Sequence, residues 1–392
     1  MTAKSFCRQS INHAPLDWSR SNTMIYHILP ESEPLSAFKG GALAHTVANL
    51  MRLDDSRIAV CAEVDDTAGF SADRVIVVPQ VRLWGRVRGR RFIPPRLIAP
   101  AFRSLFKPLL ERIHAGDIVW CHARPAFAAA LARNIWGKGA KLVCHFHEAV
   151  ELSTARIAFL GFSPDASIFV SEFLRQEWLR VLPHLKHTHT VHNGADENQF
   201  FPRDKSAPSN TVPVILFVGR FYPDKGADVL MDALRLLDVR GVKAICRMVG
   251  SAFSGNSKVT PYIANLIANS PGNVEFTGFC SADKIGDEYR RADIFCCPSI
   301  WQEPFGKVNI EAMGCGLPVV ATSVGGIPEI ARDGGVALVN PHSATELADA
   351  LEQLIKDVEY RRRIGANGLA SFRKQFTWSS VLERYKEITD FL

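Results

Sequence analysis

Two series of short apolar runs organise this chain, each interleaved with segments whose apolar residues recur every three or four positions. Short apolar runs bounded by turn formers read as buried strands, and the longer periodic segments read as amphipathic helices. In the first half, strands are predicted at 24–29, 57–62, 75–78, 117–121, 141–146 and 166–170. Helical patterns fill most of the gaps, notably 42–51, 126–136 and 172–181. In the second half, strands are predicted at 214–218, 244–249, 274–277, 293–297, 318–321 and 336–339, with helices at 227–237, 261–269, 283–291 and 307–313. Helices at 344–356, 360–374 and 379–391 close the chain. Strands that alternate with helices make parallel βαβ units. Each half therefore predicts a doubly wound, Rossmann-like α/β domain, at 24–200 and 213–378. The polar, proline-containing stretch 201–212 reads as a linker, and 1–23 as a flexible extension. Two such domains leave a cleft between them, a favoured place for a ligand.

Composition narrows this picture. With 392 residues, 47% hydrophobic and 22% charged, the chain has enough apolar material for two cores without staples. Its nine cysteines show no metal-type spacing and suit reduced thiols in a cytoplasm. Cys296 and Cys297 are neighbours in a predicted strand and should face opposite sides. No apolar run approaches a bilayer span, and the N-terminal stretch lacks an apolar signal core. The net charge of +6 is concentrated. Arg82, Arg86, Arg88, Arg90, Arg91, Arg96, Arg103 and Lys107 follow one another with no acid between them, interleaved with Trp84, Phe92, Phe102 and Phe106. That mixture predicts a surface for anionic lipid or an anionic acceptor; a solvated loop and helix face is the alternative. No nucleic-acid motif accompanies it.

The candidate chemistry gathers at predicted strand ends. Glu303 and Glu311 have seven residues between them, one in the loop after the strand 293–297 and the other inside the next helix. Ligands of open α/β sheets bind beyond the carboxyl ends of the strands, and a helix N-terminus there favours an anion. Arg220 and Lys225 flank a turn after the strand 214–218 and could converge on a diphosphate, or be ordinary surface cations. Gly40-Gly41 follows the first strand and opens a helix, where backbone amides could approach a phosphate or simply make a tight turn. His145 and His147 end another strand and share a face. No third ligand is suggested by spacing, and no Asp-x-Asp triplet occurs, so no metal is expected. Gly325-Gly326 and Asn193-Gly194 read as turns, and Ser171 as a helix cap. Without a complete GxGxxG, a nicotinamide-dependent dehydrogenase is poorly supported.

Taken together these motifs resemble the retaining glycosyltransferases of family 4, glycosyl transferases group 1. The resemblance rests on Glu303-Pro304-Phe305-Gly306 through Glu311 and on to Gly314-Cys315-Gly316-Leu317-Pro318. It also rests on Val218-Gly219-Arg220, Lys225-Gly226, Gly325 to Glu329 and Val191 to Asp196. The segment 248–277 is similar to bacterial spore-coat and polysaccharide-type members. The resemblance implies a GT-B fold, two Rossmann-like domains facing each other across a cleft, with the closing helix 379–392 packed back on the first domain. It implies a hexosyltransferase that moves a sugar from a nucleotide sugar, UDP- preferred and GDP- as the alternative, to a glycan, lipid-linked or cell-envelope acceptor. The donor would be held by Gly40, Gly41, Gly219, Arg220, Lys225, Phe305, Gly306, Lys307 and Glu311. Glu303, His147, Lys225 and Arg220 would act at the reacting sugar and the leaving diphosphate, without metal or cofactor. The base would be met by backbone around 250–253 and 276–280. Location would be the cytoplasm, extending to the inner face of the cell membrane. Alternatives are a non-catalytic sugar-nucleotide-binding protein of the same fold and a GT-B sugar-nucleotide epimerase. A phosphorylase would need a pyridoxal-phosphate lysine that nothing suggests.

Overall fold

The computed structural model describes residues 23–36, 41–64, 68–79, 95–149, 163–204, 210–252 and 259–392 of the chain. Gly40, most of the extension at 1–23, part of the linker and the basic residues from Arg82 to Arg91 lie outside the described residues.

Seven strands form the first sheet: β1 (Ile25–Ile28), β2 (Arg57–Cys61), β3 (Val75–Val77), β4 (Ile118–His122), β5 (Lys141–Phe146), β6 (Ala166–Phe169) and β7 (Thr188–Thr190). Their order is β3-β2-β1-β4-β5-β6-β7, and every pairing is parallel. Six strands form the second: β8 (Val214–Val218), β9 (Ile245–Val249), β10 (Val274–Gly278), β11 (Ile294–Cys297), β12 (Val319–Thr322) and β13 (Val336–Val339). Their order, β10-β9-β8-β11-β12-β13, repeats the first pattern. In both sheets the order reverses between the first strand and the fourth, and such a switch point opens a crevice beyond the strand ends. Strands buried on both faces explain the near-continuous apolar runs in the sequence. Cys296 and Cys297 do face apart, one into each of two core clusters on either side of the second sheet. Burial pushes the Cys297 thiol up to about 12, so it stays a protonated packing group.

The last helix, Trp378–Phe391, starts at Thr377, whose hydroxyl accepts from the Ser380 N–H. It buries Trp378, Val381, Leu382, Tyr385 and Ile388, a stripe at helical spacing. These side chains pack with Ile25, Trp120, Val143 and Ile168 of the first sheet. Burying each contributes about 2 kcal/mol, enough to fix the helix on the first domain.

The expected membrane-facing stripe is corrected in part. Helices Pro95–Leu105 and Lys107–Arg112 carry its described end. There Phe102 and Phe106 are buried, packed edge-on against Phe127. These two aromatics are core, because helical spacing turns them away from Arg103 and Lys107, which are exposed. Among the described residues no helix is long and apolar enough to cross a membrane.

Candidate active site

Two loops of the second domain are locked together at the carboxyl ends of β8 and β11. After β8 the chain passes Gly219 and the exposed Arg220 into a single helical turn, Pro223–Lys225. Gly226 follows at φ +67, where a Cβ would lie 1.9 Å from the Pro298 carbonyl oxygen. Only glycine permits that approach. The Ile300 N–H donates to the Asp224 carbonyl at 2.9 Å, and the Ser299 hydroxyl oxygen lies 3.3 Å from that carbonyl. The result delivers Lys225 to Glu303: Nζ lies 2.5 Å from one carboxylate oxygen and 4.8 Å from the centre of the Trp301 ring. Ser299 donates to the same oxygen at 2.8 Å. The acid is buried, with only 8% of its surface exposed, yet its charge is fully partnered. From behind, Gly325 and Gly326 close on this loop, and the Gly326 N–H donates to the Glu303 carbonyl at 2.8 Å. The glycine pair therefore shapes the acid-bearing loop.

Gly306, at φ +93, turns the chain into the helix Lys307–Gly314, whose N-terminus no side chain caps. Such free amides suit an anion. Glu311 lies in this helix; it accepts from the Tyr289 hydroxyl at 3.0 Å and lies 3.8 Å from the Lys307 ammonium. Burial raises its carboxyl above the ordinary range, against the pull of Lys307 and the Tyr289 bond. Phe305 is core, its ring 5.3 Å from that of His192. A cavity of about 1030 Å³ lies between the domains. Gly41 and His45 wall it on one side, Gly219, Arg220, Lys307 and Glu311 on the other. Gly250, Ser251, Phe279 and Cys280 also line it, in the two segments expected to meet the base. Lys225, Glu303, Phe305, Gly306 and His147 are not on its wall.

The first domain contributes two arrangements that the sequence hid. Glu33 reaches back to the start of the helix Ala42–Leu53 and accepts from the Ala44 N–H at 2.9 Å. A Cβ on Gly41 would lie 2.6 Å from the Glu33 carboxyl carbon. A carboxylate thus already occupies the anion position expected beside Gly41. His147 has company as well. His122 ends β4 in register with His145 on β5, and the ring nitrogens of His122, His145 and His147 lie within 4.8 Å of one another. The absence of a third histidine from the sequence spacing is therefore corrected: it comes from the neighbouring strand. His122 bonds to His147 at 3.1 Å, while the ring nitrogens of His145 have no hydrogen-bond partner among the described residues. Strand alternation applied to β4 as well as β5 was the available signal; the predicted strand 117–121 stopped one residue short of it.

The domains also touch through Ser171 and Glu329. Ser171 caps the helix Glu172–Val181 of the first domain, accepting from the Leu174 N–H, and donates to the Pro304 carbonyl next to Glu303. Glu329 accepts from the N–H groups of Glu172 and Phe173 at 2.8 and 2.7 Å and meets His192 at 3.0 Å. Burial alone would raise this carboxyl. The bonds from His192, Phe173 and Glu172 outweigh it and hold Glu329 below the usual range.

Comparison with known proteins agrees with this architecture. Residues 198–370 match the family described as glycosyl transferases group 1, and residues 41–199 match glycosyltransferase family 4. Alpha-maltose-1-phosphate synthase of Mycolicibacterium smegmatis is 29% identical over 242 residues, covering 57% of this chain and 62% of that protein. Spore coat protein SA of Bacillus subtilis is 27% identical over 234 residues, covering 55% of this chain and 62% of that protein. The match thus spans about three fifths of these curated relatives' length. The crystal structure of Anabaena HepE in complex with UDP and glucose superposes with a TM-score of 0.73 at 21% identity, covering 95% of this chain and all of that one. Two doubly wound sheets of the GT-B type, with the cavity at their switch points, and family matches that run from residue 41 to residue 370 place this chain among the group 1, family 4 glycosyltransferases.

Proposed function

We propose that the chain is a retaining hexosyltransferase that moves a sugar from a UDP-sugar to a glycan, lipid-linked or cell-envelope acceptor. One observation carries this reading: a cavity between the domains with Arg220, Lys307 and an uncapped helix beside a half-buried carboxylate, Glu311. The cations and amides suit a diphosphate, and Glu311 suits a ribose diol. HepE, solved with UDP and with UDP-glucose, supports uridine as the base.

As the bond to the diphosphate lengthens, positive charge gathers on the sugar and negative charge on the leaving group. Arg220, Lys225 and the amides at Lys307 stabilise the leaving group, the work a bound metal would otherwise do. Glu303 faces the transferred sugar, with its charge kept ready by Lys225 and Ser299. His147 donates a hydrogen bond at the reacting face. A phosphate approaching Gly41 displaces Glu33 from the helix amides, so donor binding and a shift of Glu33 occur together.

A thermal-shift screen against UDP-, GDP-, ADP- and TDP-sugars tests the donor. A ligand at about a hundred times its Kd adds about 2.7 kcal/mol. The expected result is stabilisation by the UDP-sugar that persists in EDTA. Stabilisation by none of the four, or one that EDTA abolishes, overturns the reading. On the acceptor side, Arg103 and Lys107 are the exposed part of the basic stretch that the structure describes. We assign them an electrostatic contact with an anionic acceptor surface at the inner face of the cell membrane. Flotation with anionic liposomes should be lost at high salt; equal flotation with neutral liposomes argues against it.

A further inference from the structure

A line of hydrogen-bonded imidazoles runs across the first sheet toward the strand end that carries His147, and a buried arginine starts it. Arg57 is fully buried; its guanidinium pairs with Asp54 at 2.9 Å. Its Nη1 lies 3.0 Å from His27 Nε2. His27 Nδ1 lies 2.9 Å from His122 Nε2, and His122 Nδ1 lies 3.1 Å from His147 Nε2. The line uses both nitrogens of His27 and of His122. His147 Nε2 ends the line, and both ring nitrogens of His145 stand outside it.

Arg57 dictates the direction of every bond in it. A guanidinium offers donors only and does not lose its proton in proteins. Burial, reinforced by the Arg57 charge, pushes His27 well below the usual imidazole range and takes His122 to about 3. Burial, then His122, lowers His147. All three rings are therefore neutral, and a neutral imidazole has one donor and one acceptor. His27 accepts from Arg57 at Nε2, so its proton sits on Nδ1 and is given to His122 Nε2. His122 then carries its own proton on Nδ1 and gives it to His147 Nε2. His147 is left with its proton on Nδ1.

We propose that Arg57 is a positioning residue that, through His27 and His122, fixes the proton of His147 on Nδ1. The His147 ring is then a neutral donor with no free lone pair. It can give a hydrogen bond to a sugar hydroxyl and cannot serve as a general base. The use made of that donor rests on the proposed transfer reaction; the placement of the proton does not.

Long-range nitrogen–proton correlation spectra of the histidine rings read the tautomers directly. They are recorded on the 15N-labelled full chain, with EDTA and without donor. The expected pattern is Nδ1–H for His27, His122 and His147, unchanged between about pH 8 and about pH 5. A His147 protonated on Nε2, or one that gains a second proton in that range, overturns the proposal. His27→Phe keeps an aromatic ring beside Trp120, 5.5 Å away between centroids, and cuts the line. The Nδ1–H signature of His147 should then give way to mixed tautomers. An unchanged signature in the folded variant removes Arg57 from the role. Should that variant not fold, the wild-type pH series decides alone. The spectra are taken on the free protein, so their outcome is separate from whether it transfers sugar.

Discussion

Lys225→Ala should lower the transfer rate by roughly two to three orders of magnitude or more, with an unchanged far-ultraviolet circular dichroism spectrum. The ammonium is the only side-chain cation paired with Glu303 among the described residues, and it is assigned to the departing diphosphate as well. Glu303→Ala should abolish transfer too, yet the two variants should part company in nucleotide binding. Stabilisation by UDP should weaken in Lys225→Ala and survive in Glu303→Ala, because the acid is assigned to the sugar. Wild-type rates in either folded variant would remove both assignments. Equal loss of UDP binding in both would mean that the pair acts only by shaping the loop.

Gly325→Ala should be strongly disruptive for a single added methyl group. Gly325 sits at φ +56, and a Cβ there would lie 2.0 Å from the Glu303 carbonyl oxygen and 2.6 Å from its nitrogen. The left-handed backbone costs about 1–2 kcal/mol for alanine, and forcing the loop away adds about 1–3 kcal/mol. A fall in Tm of roughly 5–15 °C follows for a domain of this size, together with loss of transfer as Glu303 leaves Lys225. Gly334→Ala is the control. Gly334 has φ +77 but meets nothing closer than Asn367 at 3.5 Å, so it should show the backbone cost alone. Equal effects of the two substitutions, measured by thermal unfolding, would refute the close-approach account.

What the sequence conveyed and what it hid differ by range of interaction. Local periodicity located β5, β8 and the helix Glu172–Val181, because an apolar face recurs at a period that only one element satisfies. It missed β7, where Thr188, His189 and Thr190 are polar and half-exposed at a sheet edge. It also missed the helix Pro95–Leu105, which carries Pro100 inside it, since an internal proline argues against a helix. Glu303 and Glu311 could be placed on a loop and a helix from spacing alone. The partners that define their chemistry could not: Tyr289 and Ser299 reach them through tertiary contacts. Glu33 at the start of a helix and His122 beside His145 are likewise products of the folded chain. A glycine pair marks a place where backbones come close, without saying which backbone comes.

Glu329 gives the molecule something like a clasp. Its carboxylate belongs to the second domain, but the helix end it closes belongs to the first. Sliding one domain past the other would strip two amides and bare a buried charge at once. His192 adds a third bond from the first domain to the same carboxylate. Any movement of the cleft at this edge must carry those bonds along or give them up together.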